Sequence, residues 1–209
     1  MKRDSSSKPS CFKKIGAAFV FPSFLVRIAI MNVPKVLKAG GVGVLLTDTI
    51  YGLVGRALNK KPVEKIYKIK GRNHKKPLII LIASLKDLKR FGVKVDSELI
   101  KVLKKFWPGP VSIILPCRSK KFEYLHRGTK SLAFRLPKKR GLIALIKQAG
   151  PLVAPSANPE GLPPARNVKE AQKYFGRQVD FYQKGLKAKG KPSKLIKVSG
   201  SLQNHYNVI

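Results

Sequence analysis

Acidic residues are scarce in this chain. Asp and Glu total 10 among 209 residues, against 44 Lys and Arg, for a formal net charge of +34. The few acids do not cluster, which excludes an active site built on paired carboxylates. Cysteine is scarce too. Cys11 and Cys117 lie far apart and match no metal spacing, so neither a disulfide nor a zinc site is indicated. This fits a reduced compartment, and a cytoplasmic location is expected. His74, His126 and His205 are scattered without a Cys/His ligand pattern, and no metal ligand set is expected. No apolar run is long enough to span a membrane. Common catalytic signatures are missing: there is no G-x-S-x-G, no Walker phosphate loop, no GxGxxG and no HExxH.

Positive charge is what the chain has in excess. A chain this basic repels itself unless it meets polyanions. Nucleic acid is the first partner to consider, because neutralised phosphates release counter-ions. A lysine-rich genome produces the same count with no RNA involved, so charge alone says nothing about chemistry. The length suits one good core, or a core plus a small extension. Residues 1–30 hold six basic residues and one acid, with an apolar piece from Ile15 to Ile30 broken by Pro22 and Arg27. They read either as a targeting segment or as an extension upstream of a start at Met31. Both readings predict that 1–30 add little to a globular domain over 31–209.

Strand and helix patterns alternate along that domain. Pro34–Ala39 suits a short helix closed by Gly40-Gly41. Val42–Leu46 reads as a buried strand. Pro62 opens a helix with Val63, Ile66, Tyr67 and Lys70 on one face, ended by Gly71. A lysine on an apolar stripe is expected to snorkel out or to reach an anion. Leu78–Ala83 is a strand, and Ser84 caps a short helix through Arg90. A longer helix starts at Asp96 or Ser97 and stops at the corner Trp107-Pro108-Gly109-Pro110. Val111–Leu115 and Ser131–Leu136 are strands. Gly141–Ala149 and Val168–Phe175 are helices. Leu152–Ala154, Val179–Tyr182 and Leu195–Val198 are short strands. Gly185–Lys194 is a basic loop. The spacings are too irregular for a doubly wound sheet. The prediction is α/β: a single domain around a twisted mixed sheet.

The run Thr47-Asp48-Thr49-Ile50-Tyr51-Gly52-Leu53 follows the first strand. Hydroxyls, an acid and a tyrosine buried together need partners, and a ligand is one source of them. A capped strand-to-loop corner is the plainer reading. Elsewhere, cations and hydroxyls recur where elements end: Lys70 and Arg72, Arg135, Ser156 and Asn158, and Ser193. Such a set binds a polyphosphate and offsets charge on a reacting phosphoryl group. Taken singly, each is ordinary surface or turn chemistry.

In order and spacing, the set resembles the YrdC-type threonylcarbamoyl-AMP synthases, from about Lys35 to about Gly200. The resemblance is carried by Thr47–Leu53, Lys70-Gly71-Arg72, Pro77–Ile80, Trp107–Val111, Leu132–Pro137, Ala154–Asn158, Gly161–Arg166 and Pro192-Ser193. It implies the YrdC-like fold. It also implies an enzyme, a nucleotidyltransferase that joins L-threonine, bicarbonate or CO2, and ATP into threonylcarbamoyl-AMP with release of pyrophosphate. Mg2+ accompanies the ATP. The product passes to partner proteins that modify tRNA. Carried over by position, Thr49, Tyr51, Arg135 and Ala154 are implied for threonine. Lys70, Arg72, Lys76, Ser131, Ser156, Asn158 and Ser193 are implied for ATP. Lys70, Arg72, Ser156 and Asn158 are implied as catalytic.

Several positions depart from the family pattern. Leu81 stands where some members carry a threonine-binding histidine. The late loop reads Pro192-Ser193-Lys194, as in the shorter subgroup. No clear match to a late ATP-contacting arginine occurs in Ser201–Ile209, and the extra C-terminal domain of longer members is not expected. A second class stays open: a non-catalytic protein binding structured RNA on the same fold. Sparse aromatics among the basic runs argue against a single-strand stacking platform.

Overall fold

The computed structural model describes residues 32–188, 190–199 and 207–208. In chain order the elements are helix α1 (Val33–Lys38), strands β1 (Gly43–Leu46) and β2 (Tyr51–Arg56), α2 (Lys60–Lys70), β3 (Ile79–Leu81), α3 (Lys86–Lys89), α4 (Ser97–Phe106) and β4 (Val111–Pro116), then a 3-10 turn at Lys120–Phe122, α5 (Glu123–His126), β5 (Ser131–Arg135), α6 (Arg140–Ala149), β6 (Leu152–Val153), α7 (Val168–Phe175), β7 (Phe181–Tyr182), β8 (Lys194–Ser199) and β9 (Asn207–Val208). The strands form one sheet in the order β7-β1-β2-β6-β3-β5-β4-β8-β9. It is mixed: β1/β7, β3/β5 and β4/β8 are parallel, and the remaining neighbours are antiparallel. The α/β architecture around a mixed sheet is the one expected. The proposed extension 1–30 lies outside the described residues.

Strand side chains alternate between two buried faces. Val44, Leu53, Ile80 and Val153 join the larger core with α2, α4 and α7. Their neighbours Leu45, Val54, Leu81 and Leu152 join a second core with Leu37 of α1 and Leu142 and Ile146 of α6. Helices on both faces explain why the central strands read as unbroken apolar runs.

Four local readings change. Strand β2 is absent from the sequence reading because Gly52 and Gly55 weaken its strand signal. Gly55 is needed there, since a Cβ would stand 2.9 Å from the Pro62 Cβ of α2. Helix α2 begins at Lys60, not Pro62, because the Asn59 side chain accepts from Lys61 N and caps it. Ser84 does not cap α3; Asp87 Oδ2 instead receives the Ala83 and Ser84 amides at 2.9 and 3.3 Å. The turn and helix over 120–126 carry no apolar period long enough to have been seen. The Trp107 corner is as expected: the indole is buried and its Nε1 donates to Val111 O at 2.7 Å.

Candidate active site

The turn joining β1 to β2 is tied by its own side chains. Thr47 Oγ1 donates to Ile50 O at 2.7 Å and accepts from Thr49 N at 3.2 Å. The two threonine hydroxyls are 3.1 Å apart. Much of the polar demand that this run posed is therefore met locally.

The loop after β6 packs against the same strand. Leu53 N donates to Pro155 O, Ala157 N donates to Tyr51 O, and Gly52 bridges Ser156. A hydroxyl from a distant segment thus stands beside the Thr47–Tyr51 turn. Tyr51 is fully buried, and burial pushes its phenol up from the ordinary value. Its hydroxyl donates to Leu186 O at 2.9 Å, pinning the late basic loop. That loop is anchored again where Ser193 Oγ meets Ser112 Oγ at 3.0 Å.

Arg135 ends β5 and is 3% exposed. Its Nη2 lies 3.0 Å from Asp48 Oδ1 and 3.5 Å from Thr47 Oγ1. Burial pulls the guanidinium below its ordinary value, and Asp48 opposes that.

These groups enclose a cavity of about 130 Å3. It is lined by six residues singled out from the sequence: Thr49, Tyr51, Arg135, Ala154, Ser156 and Ser193. Thr47, Ile50, Gly52, Ile79, Pro155 and Pro192 complete it; the sequence reading placed them in the runs that carry the resemblance but named none of them as a substrate-binding residue. The volume is well below the roughly 300–1,000 Å3 of drug-sized sites, so it suits a small molecule. A larger cavity of about 520 Å3 lies against α1 and α6 and contains none of the residues singled out from the sequence.

Of the predicted cations, Arg135 lines the small cavity, whereas Lys70, Arg72 and Lys76 do not. Lys70 is 2% exposed, and its Nζ donates to Ser156 O at 2.7 Å, to Asn158 O, and to Asn158 Oδ1 at 3.3 Å. It neither snorkels out nor meets an anion. Its three donors go to the loop after β6. Burial pushes its pKa down to about 8; Arg72 adds to this and Glu160 opposes it. Asn158 Nδ2 donates to Pro159 O and Leu162 O, so that side chain is also spent within the loop. Arg72 Nε and Nη2 donate to Lys76 O and Pro77 O, each at 3.2 Å. Lys76 pairs with Glu160 at 2.9 Å. Ser131 opens β5, four residues before Arg135 and so about 13 Å along the strand. Its hydroxyl meets Thr129.

Among the described residues no group of three or more His, Cys, Asp or Glu is placed to hold a metal ion. Nor is any helix among them long and apolar enough to cross a membrane.

The sequence profile of the Sua5, YciO and YrdC proteins, described as telomere recombination, matches residues 35–209. The chain belongs to the Sua5/YciO/YrdC family. Its relatives in this family include the threonylcarbamoyl-AMP synthase of Bacillus subtilis, 32% identical over 170 residues. That alignment covers 80% of this chain but 49% of that protein, so the chain spans about half the length of this relative. The threonylcarbamoyl-AMP synthase of Halorhodospira halophila is 32% identical over 145 residues, with 69% of this chain and 76% of that one covered. Among solved structures, P. abyssi Sua5 complexed with L-threonine superposes with a TM-score of 0.73 at 30% identity, over 79% of this chain and 49% of that one. The recurrence of one synthase name among family relatives favours an enzyme over a non-catalytic RNA binder.

Proposed function

We propose that this chain is an L-threonylcarbamoyladenylate synthase, a nucleotidyltransferase acting on L-threonine, CO2 or bicarbonate, and ATP. The observation that carries this reading is the small cavity that gathers a buried guanidinium with the hydroxyls of Thr47, Thr49, Ser156 and Ser193. Family relatives that bear the synthase name, and the relative complexed with L-threonine, support it.

In this reading threonine occupies the cavity between Thr49, Tyr51, Arg135 and Ala154. The Arg135 guanidinium donates to its carboxylate. The threonine ammonium loses a proton and the free amine attacks CO2; a second proton then leaves the nitrogen to solvent, which gives a carbamate. A carbamate oxygen then attacks the α-phosphorus of ATP. The bond to the β-phosphate breaks, and pyrophosphate leaves with the electron pair. The phosphates lie on the side where Lys70, Arg72 and Lys76 bring positive charge, and these cations offset the charge that develops. Lys70 also holds in place the loop that presents Ser156 and Asn158. Ser193 and Ser131 complete the assigned nucleotide contacts. Mg2+ would arrive on the phosphates, since the described residues offer no carboxylate cluster for it; no step is assigned to it. The product would be handed to tRNA-modification proteins, and the net charge of +34 supports contact with tRNA or other structured RNA. We place this activity in the cytoplasm.

The test is pyrophosphate release from ATP and Mg2+ with bicarbonate, with and without threonine. The expected result is release that depends on threonine. Release at the same rate without threonine overturns the assignment.

A further inference from the structure

Arg135 ends β5 and Asp48 lies in the turn between β1 and β2, neither of which neighbours β5 in the sheet, yet their charged ends meet 3.0 Å apart. Both side chains are almost wholly shielded, at 4% and 7% exposure. Arg135 lines the small cavity; Asp48 does not, and stands behind it. One arm of the guanidinium is therefore held by an ion pair with Asp48, whose Oδ1 is not aligned to accept a hydrogen bond from it. The Arg135 Nε is buried and has no hydrogen-bond partner. Nε itself is closed off from the cavity, so a ligand meets the guanidinium through the part of it that lines the cavity. A planar fork fixed at one end presents its remaining donors in one orientation, which matches a carboxylate.

We propose that Asp48 is a positioning residue: its carboxylate fixes the Arg135 guanidinium so that the cavity selects small ligands bearing a carboxylate. This rests on the reading that Arg135 receives the carboxylate of threonine. Asp48 balances the charge of Arg135, so selection comes from orientation and hydrogen bonding more than from net attraction. With the acid removed, the guanidinium is free to turn and takes oxygens of any kind.

Binding of L-threonine and of L-threoninamide, which lacks the carboxylate, is measured by calorimetry on the whole chain without ATP. The wild-type protein is expected to prefer threonine clearly. Asp48→Asn keeps the shape and removes the charge. It should weaken threonine about tenfold, leave threoninamide nearly unchanged, and raise the KM for threonine more than it lowers kcat. In an Arg135→Lys background, Asp48→Asn should have little further effect, because it acts through the guanidinium. If Asp48→Asn does not fold, Asp48→Glu, which moves the charge by one methylene, takes its place with the same readouts. Equal weakening of both ligands, or unchanged threonine binding, overturns the proposal while leaving the synthase reading standing. A wild-type protein that does not bind threonine overturns both.

Discussion

At Lys70 a single amine collects three oxygens of one loop. Lys70→Met keeps the apolar stem and removes the donors. It should lower turnover by about 100-fold or more, as the loss of a fixed charge-stabilising donor does. Threonine binding in the neighbouring cavity should change less. The pH dependence has a definite sign. Lys70 sits at about 8 in the folded chain, below the 10.5 of a free lysine. Between those values the unfolded chain holds a proton that the folded one has released. Stability therefore rises with pH from about 8 to about 10.5, relative to Lys70→Met, and is level below 8. Turnover should run the other way and fall above about pH 8, as the amine loses the charge that its acceptors need. Thermal denaturation and initial rates across this range check both directions. Arg135→Lys keeps a charge but loses the planar fork, so the KM for threonine should rise about tenfold with a smaller change in kcat.

Elements are joined at the cavity by loops, and the late basic loop is the most closely fitted of them. A Cβ on Gly190 would stand 2.3 Å from the Thr49 backbone oxygen, which cannot rotate aside. Gly190→Ala should therefore lift this loop off the Thr47–Tyr51 turn and raise the KM for threonine several-fold. The loss in melting temperature should be small, because the loop is exposed and buries little apolar surface. Kinetics and a melting curve on the one variant separate the two effects. The sequence made α2 and α4 legible through their 3.6-residue spacing, β1 through its apolar run and β5 through its alternation; α6, α7 and β4 were legible too. It hid β2, whose two glycines look like turn residues until α2 is packed on Gly55 and the loop after β6 on Gly52. The cavity was half legible. Arg135, Thr49 and Ser156 belong to recognisable runs, but Ile79 and Pro192 reach it only through pairing of β3 and the path of the last loop. Asp48 was visible within its run, yet nothing local names a partner that lies 87 residues away. The cations near Lys70 were read as phosphate ligands from position alone. Lys70 instead meets oxygens brought over by the loop after β6, a contact that no spacing in the sequence records, while Arg72 donates to the nearby carbonyls of Lys76 and Pro77.

For the whole molecule, charge is the dominant property. Most of the few acids have local work: Asp96 and Glu170 serve helix starts, Glu64 pairs with Arg127, and Asp180 meets Lys65 and the Val42 amide. A large positive excess remains for the surface. Structured RNA should bind without sequence preference. Its log affinity should fall linearly with log salt, losing roughly 10³-fold between 50 and 200 mM if about six phosphates are contacted. Fluorescence anisotropy with a labelled hairpin measures that slope, and Lys70→Met should leave it unchanged because Lys70 is buried. Transfer of a nucleotidyl group to a threonine carbamate is tested most directly by 13C-bicarbonate. Incubated with threonine, ATP and Mg2+, the chain should yield pyrophosphate and one product in which labelled carbon joins threonine to AMP. Cleavage of ATP to ADP and phosphate, or a nucleotide product without the label, would contradict it.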